Sequence, residues 1–282
     1  MRFNLIGPFE IITDDGEICI PGTPKVCQTL ALLLSRPNET VTADTLIREL
    51  WGDNPSGKAL ATVQTYIHHV RHRLLAHGTA AGPRHAAAPG RPTLITRPPG
   101  YLLQIDEEAI DTTAFERLVV SGDADLKAGR TEFASRRLRE ALALWRGPVL
   151  SNVPTGPVLA GRVVYLDELR VRALELRIET EIRLGHRREI LPELRSLVHD
   201  YPFNEWFHGQ LIAILHHCGR RAEALSAYRE LRRILRSELG LDPSADLQRL
   251  QREVLGPRPA GVLRVAPQQG AAVTPLSMAA LD

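Results

Sequence analysis

A mainly α-helical protein with a small β component is what this sequence predicts, arranged as an N-terminal mixed unit and an all-α repeat unit. Three observations carry that reading. Between Asn54 and Ile105 the residues Lys58, Arg71, Arg73, Arg84, Arg91 and Arg97 meet no Asp or Glu, in a chain whose formal net charge is only +2. That stretch opens with helical periodicity and closes in β-type runs. From Asp111 onward the pattern is almost wholly helical and contains two equivalent glycines, Gly185 and Gly219, 34 residues apart.

Arg2 to Ile20 reads as short strands, since Phe3, Leu5, Phe9 and Ile11 alternate with other residues and Asp14-Asp15-Gly16 supplies a turn before Glu17 to Ile20. A helix follows from about Thr23 to Ser35, with Val26, Leu30, Leu33 and Leu34 on one side and Arg36-Pro37-Asn38 as its stop. Thr42 then caps a short helix through Trp51, whose Leu46, Ile47, Leu50 and Trp51 form its apolar face. Asn54-Pro55 predicts the start of a third helix, because Asn accepts from orphan N–H groups and Pro lacks only a donor that has no partner there. Val63, Ile67, Val70 and Leu74, spaced by 4, 3 and 4, mark the buried face of that helix.

Gly78 to Pro92, rich in Ala, Gly and Pro, reads as a mobile connection. Thr93 to Thr96 and Tyr101 to Ile105 then form a hairpin across Arg97-Pro98-Pro99-Gly100. A small sheet, three helices and a hairpin, in that order, is the layout of a winged helix-turn-helix. Its third helix enters the major groove and its hairpin touches the flanking minor groove or backbone.

In the second unit, Gly185 and Gly219 each sit at a helix–helix junction. Counting forward by 5, 9 and 12 gives Ile190, Leu194 and Leu197, then Ala224, Tyr228 and Leu231. The same offsets from Gly129 give Ala134, Leu138 and Ala141, and Pro202 falls 17 past Gly185, where a tetratricopeptide repeat ends in Pro. Helix pairs of this kind leave an apolar side that only a neighbouring pair covers, so the units are expected to stack into a short solenoid with a groove. A last apolar helix around Leu247, Leu250 and Val254 caps it, and the Pro, Ala, Gly and Gln content beyond predicts a disordered tail. The expected organisation is therefore a winged helix-turn-helix over 1–106, a tetratricopeptide-like domain over 111–255 and a tail over 256–282.

An acid-free cationic surface is the footprint of a protein that meets phosphate. Arg71 and Arg73 are candidates for guanine edges or phosphates, Lys58 for a phosphate anchor near the helix start, and Thr62, Gln64, Thr65, His68 and His69 for groups facing the groove. Arg97 at the hairpin is a candidate wing contact. Tyr101 has two readings, a wing contact or a core residue. Against these, Gly52-Asp53-Asn54-Pro55-Ser56-Gly57-Lys58-Ala59 is rejected as a P-loop, since Ala59 lacks the Mg²⁺-binding hydroxyl and the tract follows a helix instead of a strand. His68 with His72, and His216-His217-Cys218, lack the further ligands a metal site needs. No metal or other cofactor is expected. No nucleophilic triad or carboxylate pair has positional support, so an enzyme is not expected. Cys19, Cys27 and Cys218 are odd in number and widely spaced, which implies neither disulfides nor zinc. With hydrophobics at 44% and no apolar run near the roughly 20 residues that span a bilayer, no membrane partner is expected. Gly7-Pro8 and Glu10 break any signal-peptide core, which places the protein in the cytoplasm, associated with the nucleoid.

The arrangement resembles the Streptomyces antibiotic regulatory protein family, in which an OmpR-like winged helix precedes a bacterial transcriptional activation domain. The matching tracts are Phe3-Asn4-Leu5-Ile6-Gly7-Pro8-Phe9, Leu50-Trp51-Gly52, Val63-Gln64-Thr65-Tyr66-Ile67 with Val70-Arg71, Thr96 to Leu103, and Glu238-Leu239-Gly240-Leu241-Asp242-Pro243. The likeness covers about residues 2–255. It implies an activator of antibiotic-cluster genes that binds direct repeats in double-stranded promoter DNA, as a homodimer on DNA, and engages RNA polymerase including its sigma factor. Members of that family often hold Arg where His68, His69 and His72 stand here. The competing function is a protein-interaction adaptor in which the repeats do the work and the winged helix does not bind DNA.

Overall fold

The computed structural model describes residues 1–20, 22–76 and 91–256. The connection expected over 78–92 lies outside the described residues as far as position 90, and the expected tail lies outside them from 257. Two compact units result, Met1–Glu193 and Leu194–Asp282.

The first unit opens with an antiparallel meander of β1 (Arg2–Asn4), β2 (Glu10–Ile12) and β3 (Ile18–Cys19), in which Phe3 pairs with Ile11. Next come α1 (Pro24–Leu34), β4 (Thr40–Thr42), α2 (Ala43–Trp51), α3 (Ala59–Ala76), β5 (Thr93–Arg97) and β6 (Gly100–Gln104). A second sheet has the order β4-β6-β5, with Val41 opposite Tyr101 and Ile95 opposite Leu102. Sequence reasoning gives Thr42 a capping role, and its Oγ1 does accept from Thr45 N at 3.1 Å. It misses that Thr40–Thr42 is also a strand, because three residues with one inward side chain carry no readable alternation. Gly100 is required by that pairing, since a Cβ there would stand 2.0 Å from the Val41 carbonyl oxygen.

The start of α3 corrects the sequence expectation. Asn54 belongs to the closure of α2, where Gly52 takes a φ of +62° and Asn54 N donates to Trp51 O at 3.4 Å. The helix starts at Ala59, after Ala59 N bonds to Ser56 O across the Gly57-Lys58 turn. Pro55 is thus spent in the linker.

α4 (Asp111–Lys127), α5 (Thr131–Ala143) and α6 (Pro157–Arg183) complete the first unit. One continuous core runs from Phe3 and Phe9 through α1, α2 and α3 to Phe115, Leu138, Leu159 and Leu176. Two buried carboxylates fasten its parts. Asp111, at the start of α4, accepts from Leu5 N and Ile6 N at 2.8–2.9 Å. Burial pushes its pKa up while those N–H groups and Arg146 oppose the shift. Glu49 in α2 is 2% exposed and accepts from Gly156 N at 2.6 Å, Val158 N at 2.9 Å and Leu159 N at 3.0 Å, the open donors that begin α6. Gln28 Nε2 supplies a further donor at 2.9 Å. Gly156 admits this contact only because it lacks a Cβ, which would stand 1.9 Å from the Glu49 carbonyl oxygen.

The glycines that signal the repeat share one physical role. Gly129, Gly185 and Gly219 have φ of +75°, +89° and +79°. Each donates its N–H three residues back, and the residue after it donates five back: Arg130 N to Asp125 O, His186 N to Glu181 O and Arg220 N to Leu215 O, at 2.8–3.0 Å. This is the left-handed helix end that glycine alone adopts without steric cost. All nine positions counted forward from these glycines are buried, from Ala134 at 0% to Leu197 at 6%.

α7 (Leu191–Asp200) leads into the second unit, which holds α8 (Glu205–His217), α9 (Arg221–Leu239) and α10 (Ala245–Leu255). Asn204 caps α8 by accepting from Trp206 N and Phe207 N. Gly240 ends α9, and Asp242 pairs with Arg236 at 2.9 Å and Arg232 at 3.2 Å, so the Gly240-Leu241-Asp242-Pro243 tract is a helix stop. Val254 and Leu247 are buried, which seats α10 against its neighbours.

Two stability outcomes follow. Glu49→Gln removes the charge and leaves a backbone N–H facing an amide, and is expected to cost about 2–4 kcal/mol by urea denaturation; an unchanged midpoint refutes the clamp. Burial holds the His208 pKa below its ordinary 6.5, so the unfolded chain binds that proton more readily. Stability of the second unit should therefore decline as pH falls below about 6.5 and recover above it. His208→Gln should flatten that dependence in urea midpoints measured from pH 7.5 to 5.

Candidate nucleic-acid interface

α3 divides cleanly by helical position. Val63, Ile67, Val70 and Leu74 are at most 7% exposed and hold the helix on the core. Lys58 and, at spacings of three and four along the opposite stripe, Thr65, His68, His69 and His72 are exposed, as is Gln64 beside them, with Thr62 half-buried at the edge. The hydroxyls of Thr62 and Thr65 donate back to Lys58 O and Ala61 O, both at 3.1 Å. With its proton directed inward, each oxygen presents lone pairs outward, suited to the amino groups of adenine or cytosine. His72, four residues from His68 and seven from Thr65, is exposed on the same stripe.

The two arginines of α3 lie on opposite flanks of that stripe. Arg71 Nε donates to Leu94 O at 3.1 Å and its Nη2 to Thr96 Oγ1 at 2.6 Å, so this guanidinium ties the helix to β5. Arg73 is exposed, and its charge stands by the thiols of Cys19 and Cys27, opposing the rise that burial gives them. Arg97 is exposed at the hairpin turn, opposite Gly100 in the register. Tyr101 is 8% exposed in β6, which leaves it in the core and not on the surface of the wing. The reason is register: Gly100 and Tyr101 lie against β4, between two hydrogen-bonded neighbours.

The wing is positioned from two sides. Ala43 N, at the start of α2, donates to Pro99 O at 3.1 Å, and Arg71 holds the other strand. Trp51 stacks on Tyr66 with ring centres 6.4 Å apart and planes 17° apart, fixing α2 against α3. Helix stripe and hairpin therefore form one preset surface. Among the described residues no group of three or more His, Cys, Asp or Glu side chains is placed to hold a metal ion, and no helix is long and apolar enough to cross a membrane.

Residues 110–255 match the family model of the bacterial transcriptional activator domain, and residues 17–84 match that of the C-terminal domain of transcriptional regulatory proteins. Regulatory protein DnrI of Streptomyces peucetius is 38% identical over 274 residues, with 97% of this chain and 98% of that protein covered. The chain belongs to the Streptomyces antibiotic regulatory protein family. Regulatory protein AfsR of Streptomyces coelicolor is 36% identical over 92% of this chain, which spans 25% of that longer protein. Among solved structures, Mycobacterium tuberculosis EmbR in complex with a low-affinity phosphopeptide superimposes with a TM-score of 0.80 at 34% identity, over 90% of this chain and 64% of that one. Membership makes this protein a DNA-binding transcriptional activator of the antibiotic-biosynthesis type and not an enzyme.

The brace between helix and wing has a direct check. Arg71→Ala should cost about 1–2 kcal/mol and speed amide exchange in the β5–β6 hairpin while α1 and α2 keep their protection. Unaltered hairpin exchange excludes the brace.

Proposed function

We propose that this activator reads promoter direct repeats with the exposed stripe of α3 and grips the flanking backbone with the wing. The observation that carries the reading is the acid-free stripe itself, polar at helical spacing and led by Lys58, on a helix whose other face is locked in the core. Lys58 and Arg97 supply phosphate contacts, with Arg73 on the flank. Thr62, Gln64, Thr65, His68 and His69, joined by His72, face base edges. Arg71 acts as a positioning residue that sets the wing relative to the helix.

Two chains on one promoter, oriented head to tail, suit direct repeats, because a winged helix has no internal two-fold that demands a palindrome. Contact with RNA polymerase and its sigma factor is assigned to the repeat domain, on the support of its match to the bacterial transcriptional activator domain.

Salt dependence separates the roles. With about 5 phosphates neutralised, log affinity should fall against log salt with a slope near −4 to −5. Lys58→Ala should reduce that slope by about 1, whereas Arg71→Ala should weaken binding with the slope kept. Fluorescence anisotropy on a promoter duplex measures both, and a salt-independent Kd ends the proposal.

A further inference from the structure

From Thr65 to His72 the exposed stripe of α3 is polar, but its first turn is not. Ala61 stands four residues before Thr65, seven before His68 and eleven before His72, which puts it on the line that runs opposite the buried face. It is exposed, and Leu60 beside it is 51% exposed, whereas Ala59 is 4% exposed and faces inward. A single exposed aliphatic residue on a helix needs no explanation. Here the position gives it one, because a recognition helix sets the side chains of its N-terminal turns against base edges. The other exposed leucine of the helix, Leu75, lies 14 residues beyond Ala61, about 21 Å further along the axis.

Side chains at this tip neither donate nor accept. Thr65 Oγ1 gives its proton to Ala61 O at 3.1 Å, so the next turn brings no free hydroxyl donor to the step either. The one apolar group that base edges present in the major groove is the 5-methyl of thymine, and alanine is among the side chains that contact it. We infer that Ala61, flanked by Leu60, reads the 5-methyl group of a thymine, one in each copy of the promoter repeat. The inference rests on the proposed placement of α3 in the groove and adds a base identity to it. Gln64, Thr65 and the histidines read hydrogen-bonding groups, while this step reads a hydrophobic one. Unlike the Lys58 contact, it displaces no counterion and is indifferent to salt.

Uracil supplies the test, because it keeps every hydrogen-bonding group of thymine and lacks only the methyl. The probe is a duplex enriched by the full-length protein from a random-sequence pool, with each thymine replaced singly by deoxyuridine and Kd read by fluorescence anisotropy. At one thymine per repeat the replacement should weaken binding about fourfold, the effect of one methyl-sized group taken out of water, and equally at low and high salt. Ala61→Gly should bind the thymine and uracil duplexes equally at that position, while circular dichroism and the effects of replacement elsewhere stay those of the parent. Leu60→Ala, which keeps a strong helix former, should reduce the loss to about twofold or less. A preferred site without thymine in its repeat, equal Kd for thymine and uracil at every position, or a full loss retained by Ala61→Gly overturns the inference. A parent protein that binds every uracil duplex unchanged still binds DNA, so that result leaves the groove reading standing; failure to enrich any duplex ends both.

Discussion

The first unit depends on a carboxylate that should not be buried unless every lone pair is used. Glu49 satisfies that condition with three backbone N–H groups of the α6 start and the Gln28 amide. An uncompensated carboxylate in a core is among the costliest groups a protein holds. Here it faces the positive end of a helix 27 residues long, where partial charge from the aligned peptide dipoles favours an anion. The arrangement makes the winged helix and the first helices of the activation domain mutually necessary. Separation would strand Glu49 on one side and the orphan donors of α6 on the other.

A second carboxylate repeats the logic elsewhere in the same unit. Asp111 takes the N–H groups of Leu5 and Ile6, and Asn152 brackets Phe9 by accepting from its N–H at 2.6 Å and donating to its carbonyl at 3.3 Å. The opening tract Phe3 to Phe9 is thereby explained by the packing of the first unit. Its aromatic rings fill the core while its backbone is claimed by residues more than 100 positions away. With both ends fastened, α3 is presented on a platform that extends well past the winged helix.

That rigidity bears on how sequence-specific contacts work. Base readout needs side chains held within fractions of an ångström, and the helix stripe and hairpin must agree in position before either meets a phosphate. Arg71 supplies the agreement with two of its five donors, one on Leu94 and one on Thr96. Arg71 thus joins α3 to the wing, and the exposed stripe of that helix carries threonines, Gln64 and a run of histidines, with Lys58 just before it.

How much of this was legible beforehand depended on whether the signal was local. Helix faces, the Thr42 cap, the hairpin and the three glycine stops follow from periodicity and φ preferences that a few neighbouring residues set, and the nine buried repeat positions were countable from the glycines alone. The acid-free stretch was likewise readable, because charge composition does not depend on folding. What the chain alone left open were features made by residues far apart: the strand Thr40–Thr42, visible only through its partner β6; the true start of α3, displaced when Gly52 and Asn54 were needed to close α2; the inward place of Tyr101; and the bond that turns Arg71 toward the wing. Glu49 shows the division most plainly. In the sequence it is an ordinary acid on an amphipathic helix, and only the approach of Gly156, 107 residues later, makes it the buried acceptor on which the unit closes.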